Sequence, residues 1–366
     1  VSQGLDAIAS RGAVFGSTHE DEIVLAERIR RHVPSLERLR FTTTGTEAVM
    51  GAVRVARAFT RRSAIVKFGG NYHGHFDAAL LGAGASAATD DAVAAGIPAA
   101  TLDDLGVARY NDLDDLERVL ARFDGGARVA AILVEPVVGN MGLVLPEPDF
   151  IEGIFAFARA CGALVIFDEV ITWLRLGLGG AQGALAPRFV PDLTTLGKNL
   201  GSGFPLAAFG GRADVMRVLA PEGRVFAGGT HAGNPFSVAI GLRVLDFLEA
   251  NPAVYEHMRE TSQRLAAGIR RVLAGLRLDY AVVQLESIVD FKFRPGPPTR
   301  SYDDQARADS AAYAAYYHAM RARGILLPPS QNEVMFLSTE HSARDVDETL
   351  EALEVSLGEL RERSIV

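Results

Sequence analysis

The sequence has 366 residues, of which 48% are hydrophobic and 22% charged, which is typical of a globular protein with one large core and a second, smaller one. Its net charge of −8 argues against nucleic acid or an anionic membrane as the main partner. No apolar run approaches the roughly 20 residues of a membrane helix. The single cysteine, Cys161, excludes an internal disulfide and favours a cytoplasmic location.

The first part of the chain alternates helices and strands. An amphipathic helix is predicted over Glu20–Val33, and a strand over Leu39–Thr42 leads into a glycine turn and a second helix. In Thr44-Gly45-Thr46 the turn places free backbone N–H groups at a helix N-terminus, where phosphate is favoured. A plain capping turn has the same pattern, so both interpretations stay open.

The next predicted strand, Ala64–Phe68, runs into a loop that contains Tyr72, His73, Gly74 and His75. An aromatic residue beside a glycine at a strand end can lie flat on a planar ligand, although it can also cap the core. The two histidines suggest a metal, but no third ligand stands near them in the sequence, and no metal site is predicted.

The segment Gly82–Asp112 is predicted to be a long loop with weak helical content, of the kind that forms lids or binding loops. After it, apolar strands again alternate with helices, which predicts βαβ units and a parallel sheet buried on both faces. These segments are Leu113–Phe123 (helix), Val129–Val134 (strand), Phe150–Cys161 (helix) and Ala163–Phe167 (strand).

Ligands bind at the carboxyl ends of strands in such sheets, and Asp168 stands at one of these ends. A buried carboxylate there needs a cation or a proton donor, and both a protonated ring nitrogen and a structural arginine meet that need.

A lone lysine, Lys198, lies in a loop of small residues that follows the predicted strand ending near Leu196. Glycines around its stem allow partial desolvation, which frees the amine to form an imine with a carbonyl compound. An ordinary solvated loop lysine is the alternative. Further along, Val225–Pro235 again offers backbone donors and the hydroxyl of Thr230.

Asn251-Pro252 breaks a predicted helix and indicates a domain boundary. We expect a large cofactor-binding domain over residues 1–250 and a small C-terminal domain over residues 251–366. Helices and strands are predicted in the small domain at Tyr255–Leu276, Tyr280–Leu285, Val289–Phe293, Asp309–Arg323, Val334–Ser338 and Val346–Leu360.

The lysine, the strand-end aspartate, the stacking aromatic and the two phosphate loops occur in the order of the class III pyridoxal-phosphate aminotransferases, which the chain resembles. Within this family it is most similar to the glutamate-1-semialdehyde aminomutases. The resemblance rests on Gly45–Ala48, Tyr72–His75, Glu135–Met141, Phe167–Val170, Gly179–Gly183, Leu193–Lys198, Gly229-Thr230, Gly233–Pro235, Pro329-Ser330 and Glu333.

This resemblance implies an α/β fold of type I, with a mostly parallel sheet between helices and a smaller α+β C-terminal domain. It implies pyridoxal 5′-phosphate as cofactor, Lys198 as cofactor lysine and base, Asp168 as partner of the ring nitrogen, and Tyr72 as catalytic stacking residue. The implied cofactor-binding residues are Gly45, Thr46, Tyr72, His73, Asn140, Asp168, Val170, Lys198, Gly229 and Thr230. The implied substrate residues are Glu333, Trp173 and His231, and Asn140, like Glu333, also matches a position near the substrate in the aminomutases of the family.

The resemblance also implies a homodimer in which Thr230 comes from the neighbouring subunit. Family members carry an N-terminal segment of some tens of residues ahead of the point where this sequence begins. The chain departs from the family at Trp173 and Leu174, which changes the expected pocket wall, and at His231.

Because of these departures, a transaminase using an amino donor and a keto acceptor is the leading interpretation. An aminomutase, which moves the amino group within one molecule, is the alternative. A metal-dependent hydrolase using His73, His75, His231 and Asp168-Glu169, and a binding protein without activity, are further hypotheses from other classes.

Overall fold

A computed structural model describes residues 4–82, 95–185 and 188–366. Contacts divide the chain into two compact units. The first unit comprises the described residues of Val1–Ala83, Thr89–Pro136 and Pro146–Asn251, and the second comprises Val137–Leu145 and Pro252–Val366. The sequence-based division at residue 250 stays a prediction, and the contact-based units differ from it by placing Val137–Leu145 with the C-terminal part.

The first unit is built on a seven-stranded sheet with the order β1-β7-β6-β5-β4-β2-β3. Its strands are β1 (Arg38–Thr42), β2 (Ala64–Phe68), β3 (Leu105–Ala108), β4 (Val129–Val134), β5 (Leu164–Asp168), β6 (Leu193–Leu196) and β7 (Ala207–Gly211). The pairs from β3 to β6 are parallel, whereas β7 runs antiparallel to both β6 and β1. The predicted, mostly parallel sheet is thus confirmed.

Helices surround this sheet, and their bounds are α1 (Leu5–Ala9), α2 (Glu20–His32), α3 (Gly45–Thr60), α4 (Asp77–Leu80), α5 (Ala99–Leu102), α6 (Leu113–Ala121), α7 (Phe150–Cys161), α8 (Gly180–Ala184), α9 (Ala213–Met216) and α10 (Pro235–Ala250). The apolar face of α3 packs on the centre of the sheet, where Val49 and Val53 join Ile166 and Leu193 in one buried cluster. This packing brings the N-terminus of α3 to the carboxyl edge of the sheet.

The prediction of one long loop over Gly82–Asp112 is wrong for the part that the structure describes. Leu105–Ala108 forms β3, which pairs in parallel with β2 and closes that edge of the sheet. The short helix α5, Ala99–Leu102, precedes it. Residues 83–94 of the predicted loop lie outside the described residues.

The second unit contains a three-stranded antiparallel sheet of β8 (Tyr280–Leu285), β9 (Ile288–Pro295) and β10 (Met335–Phe336), in the order β10-β9-β8. Its helices are α11 (Ala253–Gly275), α12 (Tyr302–Gln305), α13 (Ser310–Ala322) and α14 (Ala343–Glu362). The apolar stripe of α14 lies in the core, since Val346, Leu353 and Leu357 are buried in the same cluster as Phe291. No helix in the described ranges has the length and apolar character needed to cross a membrane.

Candidate active site

The carboxyl ends of β5 and β6 carry the centre of the candidate site. The buried side chain of Asp168 accepts hydrogen bonds at Oδ1 from the Thr195 hydroxyl (3.0 Å) and from the Val170 backbone N–H (3.1 Å). Its Oδ2 lies 2.8 Å from Nδ1 of His73. A carboxylate is costly to bury without partners. These three hydrogen bonds offset that cost and fix the direction in which the Asp168 carboxylate points.

His73 is the partner of Asp168, at the place where the sequence analysis considered an arginine. Burial lowers the pKa of its imidazole, while the hydrogen bond to Asp168 and the charge of that residue oppose the shift. A carboxylate only accepts, so a neutral His73 carries its proton at Nδ1. Within the described part of the chain, its Nε2 has no hydrogen-bond partner. Its contact with a cofactor stays a prediction.

The loop that follows β2 is tied to the end of β4. The backbone N–H of Tyr72 donates to Oε1 of Glu135 at 2.8 Å, and the backbone N–H of Glu135 donates to Oδ1 of Asn71 at 2.9 Å. The Tyr72 side chain is 39% exposed, so it does not cap the core. The structure therefore favours the interpretation in which this ring is available to a planar ligand.

The turn before α3 combines the two interpretations that the sequence left open. The Thr44 hydroxyl accepts from the Glu47 backbone N–H, and the Glu47 carboxylate accepts from the Thr44 backbone N–H, which is a capping box. Thr44 therefore serves the helix. The Thr46 side chain instead faces the loop after β2, with its Oγ1 3.4 Å from Nδ1 of His75.

Gly74 explains how closely that loop approaches the α3 turn. Its φ of +87° favours glycine, and a Cβ at this position would lie 2.5 Å from Oγ1 of Thr46. The loop of Tyr72–His75 and the turn of Thr44–Thr46 are therefore in direct contact.

Val170 joins the same turn to the lysine loop. A Cβ at Gly45 would lie 3.1 Å from Cγ1 of Val170, and one at Gly197 would lie 3.2 Å from the same atom. Both glycine backbones therefore pass close to the Val170 side chain. The structure thus brings together Gly45, Thr46, Tyr72, His73, Asp168, Val170 and Lys198.

Lys198 begins a short 3₁₀ turn directly after β6 and has a φ of +42°, a conformation that few non-glycine residues adopt. Its side chain is exposed in the single chain, so the desolvation expected from the neighbouring glycines is not observed there. The physical reason is that small residues clear space without covering the stem. The position of Lys198 at the strand end is as predicted.

Glu169, named in the sequence only as part of the family motif and of the metal hypothesis, anchors the turn after β5. Its buried carboxylate accepts from the Thr172 hydroxyl, from the Ala181 and Gln182 backbone N–H groups and from the Gln182 amide. Burial raises its pKa, while these donors oppose the shift. A Cβ at Gly180, whose φ is +64°, would lie 2.2 Å from Glu169 Oε2. The signal for this role in the sequence was the acidic pair Asp168-Glu169 directly after an apolar strand.

Trp173, predicted to be a substrate residue, lies in the core of the single chain, and its role toward substrate stays a prediction. Its side chain is fully buried, its indole N–H donates to the Leu178 carbonyl at 2.9 Å, and it packs with Leu25 and Ile29. The chain turns after β5, with Leu174 at a φ of +62°, and this turn directs the indole into the core.

Three predicted residues of the later loop, Gly229, Thr230 and His231, are exposed in the single chain. The structure places none of these three residues against Asp168 or Lys198 of the same subunit. Their roles toward cofactor and substrate stay predictions.

Asn140 and Glu333 both belong to the second unit, on two segments that contact each other. The Gly142 backbone N–H donates to the Asn332 carbonyl at 2.7 Å, and the Leu143 backbone N–H donates to Asp290 Oδ2 at 2.9 Å. Lys292 completes the connection, because its Nζ donates to Asp290 Oδ1 (2.8 Å) and to the Gln331 carbonyl.

This buried ion pair is another feature that the sequence analysis missed. Asp290 and Lys292 alternate with the apolar residues Val289, Phe291 and Phe293 in β9, which was the signal for this pair in the sequence. The pair joins both segments to β9.

The metal hypothesis finds no support in the geometry. In the ranges that the structure describes, no group of three or more His, Cys, Asp or Glu side chains is arranged to hold an ion. His73 faces Asp168, and His75 faces a threonine.

Comparison with known proteins decides the family. Residues 8–285 match the family model described as Aminotransferase class-III. The chain is 43% identical over 355 residues to a glutamate-1-semialdehyde 2,1-aminomutase from Desulforudis audaxviator, covering 97% of this chain and 81% of that protein. It is 46% identical to a protein of the same name from Sorangium cellulosum, covering 98% and 80%. The chain belongs to the class III aminotransferases.

Solved structures agree with this assignment. An omega-transaminase from Sphaerobacter thermophilus superposes with a TM-score of 0.87 at 33% identity, covering 98% of this aminotransferase and 82% of the other chain. A glutamate-1-semialdehyde-aminomutase variant from Pseudomonas aeruginosa, in complex with PMP, gives 0.85 at 29% identity, covering 98% and 81%. The predicted fold type I is thereby confirmed.

Members of this family are pyridoxal-phosphate enzymes, and the residues present fit that cofactor. The turn of Gly45 offers backbone N–H groups at the start of α3, suited to a phosphate. The oriented carboxylate of Asp168 would suit a protonated ring nitrogen, and the exposed amine of Lys198 would suit a bond to the cofactor aldehyde; both roles stay predictions. The aminotransferase is thus a pyridoxal-phosphate-dependent enzyme, while the homodimer and the cytoplasmic location stay predictions.

Proposed function

We propose that this enzyme is a glutamate-1-semialdehyde 2,1-aminomutase, which moves an amino group from carbon 2 to carbon 1 of one substrate molecule. The observation that carries the proposal is 41–46% identity, over nearly the whole chain, to several proteins of that name. The sequence analysis preferred a transaminase with a keto acceptor. The relatives support the aminomutase better, and an intramolecular shift needs no external acceptor.

The chemistry divides between cofactor and protein. Pyridoxal phosphate, when bound, supplies the aldehyde that captures an amine and the ring that accepts electrons. Among the residues assembled at the site, Lys198 carries an exposed side-chain amine, and we assign to it the movement of the proton between the two carbons. Asp168 holds a negative charge for the ring nitrogen, and His73 and Thr195 keep this carboxylate oriented.

Two residues assigned to the substrate, Asn140 and Glu333, are held by one buried network. Asn140 and Glu333 stand on segments that are hydrogen-bonded to each other and fastened to the same ion pair of Asp290 and Lys292. A fixed spacing between two polar groups suits one small substrate that has polar atoms at both ends. The later loop, with Thr230 and His231, is assigned to the neighbouring subunit of a homodimer.

The test is incubation of the holoenzyme with glutamate-1-semialdehyde alone, followed by separation of the two positional isomers. We expect the isomer with the amino group on carbon 1 to form without any acceptor. In parallel, the enzyme is given a panel of amino donors and keto acceptors. Turnover that occurs only with a donor and an acceptor together would contradict the aminomutase. It would favour a transaminase, the activity named for the structural neighbour from Sphaerobacter thermophilus.

A further inference from the structure

Lys67 is an ammonium group in the middle of a buried parallel strand. All five residues of β2 are buried, and the Lys67 side chain is among the largest fully buried ones. A charge in this environment is costly unless fixed partners replace the lost water. Its Nζ donates to the Asn71 carbonyl at 2.9 Å and to the Ala79 carbonyl at 2.8 Å.

The two accepting carbonyls stand on either side of the loop that carries Tyr72 and His73. Asn71 immediately precedes these residues, and Ala79 lies in α4, after the loop has returned. One side chain therefore binds both ends of the loop and fastens them to the sheet.

The same loop is held from a second strand. Asn71 Oδ1 accepts from the Glu135 backbone, and Glu135 Oε1 accepts from the Tyr72 backbone, at 2.9 and 2.8 Å. His73 then continues to Asp168 at 2.8 Å. A series of buried hydrogen bonds thus extends from Lys67 to the carboxylate assigned to the ring nitrogen.

The pKa of the Lys67 ammonium agrees with this arrangement. Burial lowers the pKa of the Lys67 ammonium to about 7, and the charges of Glu135 and then Asp168 oppose that shift. The amine keeps two N–H bonds for the two carbonyls in either protonation state.

We propose that Lys67 is a positioning residue for the cofactor: by holding the Asn71 and Ala79 carbonyls it sets the place of the Tyr72 ring and, through His73, of Asp168. The proposal rests on the cofactor roles assigned above to Tyr72 and Asp168. It does not depend on which amino compound is the substrate.

The test compares Lys67→Met with Arg62→Met in the holoenzyme. Arg62 is the matched control, since its guanidinium also donates to two backbone carbonyls of the first unit, those of Val129 (3.1 Å) and Cys161 (2.8 Å). Val129 begins β4, at the opposite end of that strand from Glu135. The readouts are the rate at which the visible absorption band is lost during dialysis and the wavelength of its maximum. Unpairing two buried carbonyls is expected to accelerate cofactor release in Lys67→Met by about tenfold or more and to shift the maximum.

Arg62→Met is expected to release the cofactor within about twofold of the parent rate, even where its thermal stability falls. Lys67→Gln, which retains N–H donors without charge, is expected to lie between the parent and Lys67→Met. Equal release rates and spectra for Lys67→Met and the parent would overturn the proposal, as would equal acceleration in Arg62→Met.

A measurement on the unchanged holoenzyme covers the case in which Lys67→Met does not fold. Hydrogen exchange of the Tyr72 amide is expected to be slow, because this N–H is bonded inside the network. Exchange at the rate of an open loop would contradict the inference. These readouts need no substrate, so a failure of the aminomutase assignment leaves them interpretable.

Discussion

At the scale of single residues, the arrangement around Asp168 is the most restrictive part of the site. Its oxygens are held by an imidazole, a hydroxyl and a backbone N–H, each on a different segment of the chain. A carboxylate fixed in this way needs no reorganisation when it meets a positive ring nitrogen, which is the electrostatic advantage of a preorganised site.

Replacing Lys198 by alanine is expected to abolish turnover, because the exposed amine after β6 is assigned both the bond to the cofactor and the proton transfer. Product formation from glutamate-1-semialdehyde measures the effect. Borohydride reduction of the parent holoenzyme, followed by peptide mapping, should place the cofactor label on Lys198. A variant that keeps even about a tenth of the parent rate would contradict the assigned role.

The depressed pKa of Lys67 predicts a pH dependence of stability. In the unfolded chain this lysine binds its proton at its ordinary pKa of 10.5, whereas in the folded chain it does so only near about 7. As pH falls from 10.5 to 7 the unfolded state therefore gains a proton that the folded state lacks, and the free energy of unfolding falls by up to about 1.4 kcal/mol per pH unit. The charged or titratable groups that face Lys67 are Glu135, Asp168 and His73.

Urea unfolding of the parent and of Lys67→Met at pH 7.5 and 9.5 measures this dependence. The parent is expected to gain more stability than the variant between these two pH values. Parallel changes in both proteins would show that Lys67 is charged in the folded state throughout this range.

At the scale of elements, packing of α3 on β7 depends on a glycine. A Cβ at Gly51 would lie 2.5 Å from Cε1 of Phe209, in the core of the first unit. Gly358 in α14 is the contrasting case, because a Cβ there meets nothing within 4 Å. The same substitution is therefore expected to have opposite effects in the two helices.

Gly51→Ala is expected to lower the free energy of unfolding by about 1–3 kcal/mol through overpacking. Gly358→Ala is expected to raise it by about 0.5–1 kcal/mol, since alanine is the better helix former. Chemical denaturation of both variants gives the two values. A stabilised Gly51→Ala protein would mean that the Phe209 ring moves aside at no cost.

Most elements of the first unit follow from the sequence. Strands β2 and β4 and helix α7 are predicted with their observed bounds, because continuous apolar strands and amphipathic helices have distinct periods. β3 is missed, since an edge strand of four residues, two of them small, carries little pattern. The positions of the Thr44–Thr46 turn and of Asp168 at strand ends are predicted correctly, because glycines and charges mark the ends of apolar strands.

Side-chain directions are less accessible from sequence. Trp173 is implied as a substrate residue by the resemblance to the family, but a positive φ at the next residue and the bond to the Leu178 carbonyl place its side chain in the core of the single chain. Lys67 was treated as an ordinary strand residue, although a lysine in a strand buried on both faces signals a polar network. Partners such as Ala79 for Lys67 are set by tertiary packing, which no local pattern records.

At the scale of the whole molecule, the residues assigned to the site are divided, by proposal, between two subunits. The segment of Gly229, Thr230 and His231 is exposed in the single chain, and nearby Phe226 has 74% of its surface exposed. An exposed aromatic beside polar residues is typical of a protein interface.

Mixing two impaired variants tests the shared site. If Thr230 acts in the neighbouring subunit, a hybrid of Lys198→Ala and Thr230→Ala subunits contains one site with both residues intact. We therefore expect the mixture, after subunit exchange, to recover activity above that of either variant alone. Sedimentation of the parent should give the mass of two chains. A monomeric parent would contradict the homodimer. A mixture no more active than its components would contradict the shared site.

The missing side chain at Gly74 has a practical consequence for directed evolution of substrate choice. The loop of Tyr72 to His75 is an obvious target for randomised libraries, but any larger residue at position 74 collides with Thr46. Variants at that position are therefore expected to disappear from a selection for reasons unrelated to catalysis. A library that keeps position 74 constant and varies its neighbours would devote its screening capacity to clones in which the turn can still form.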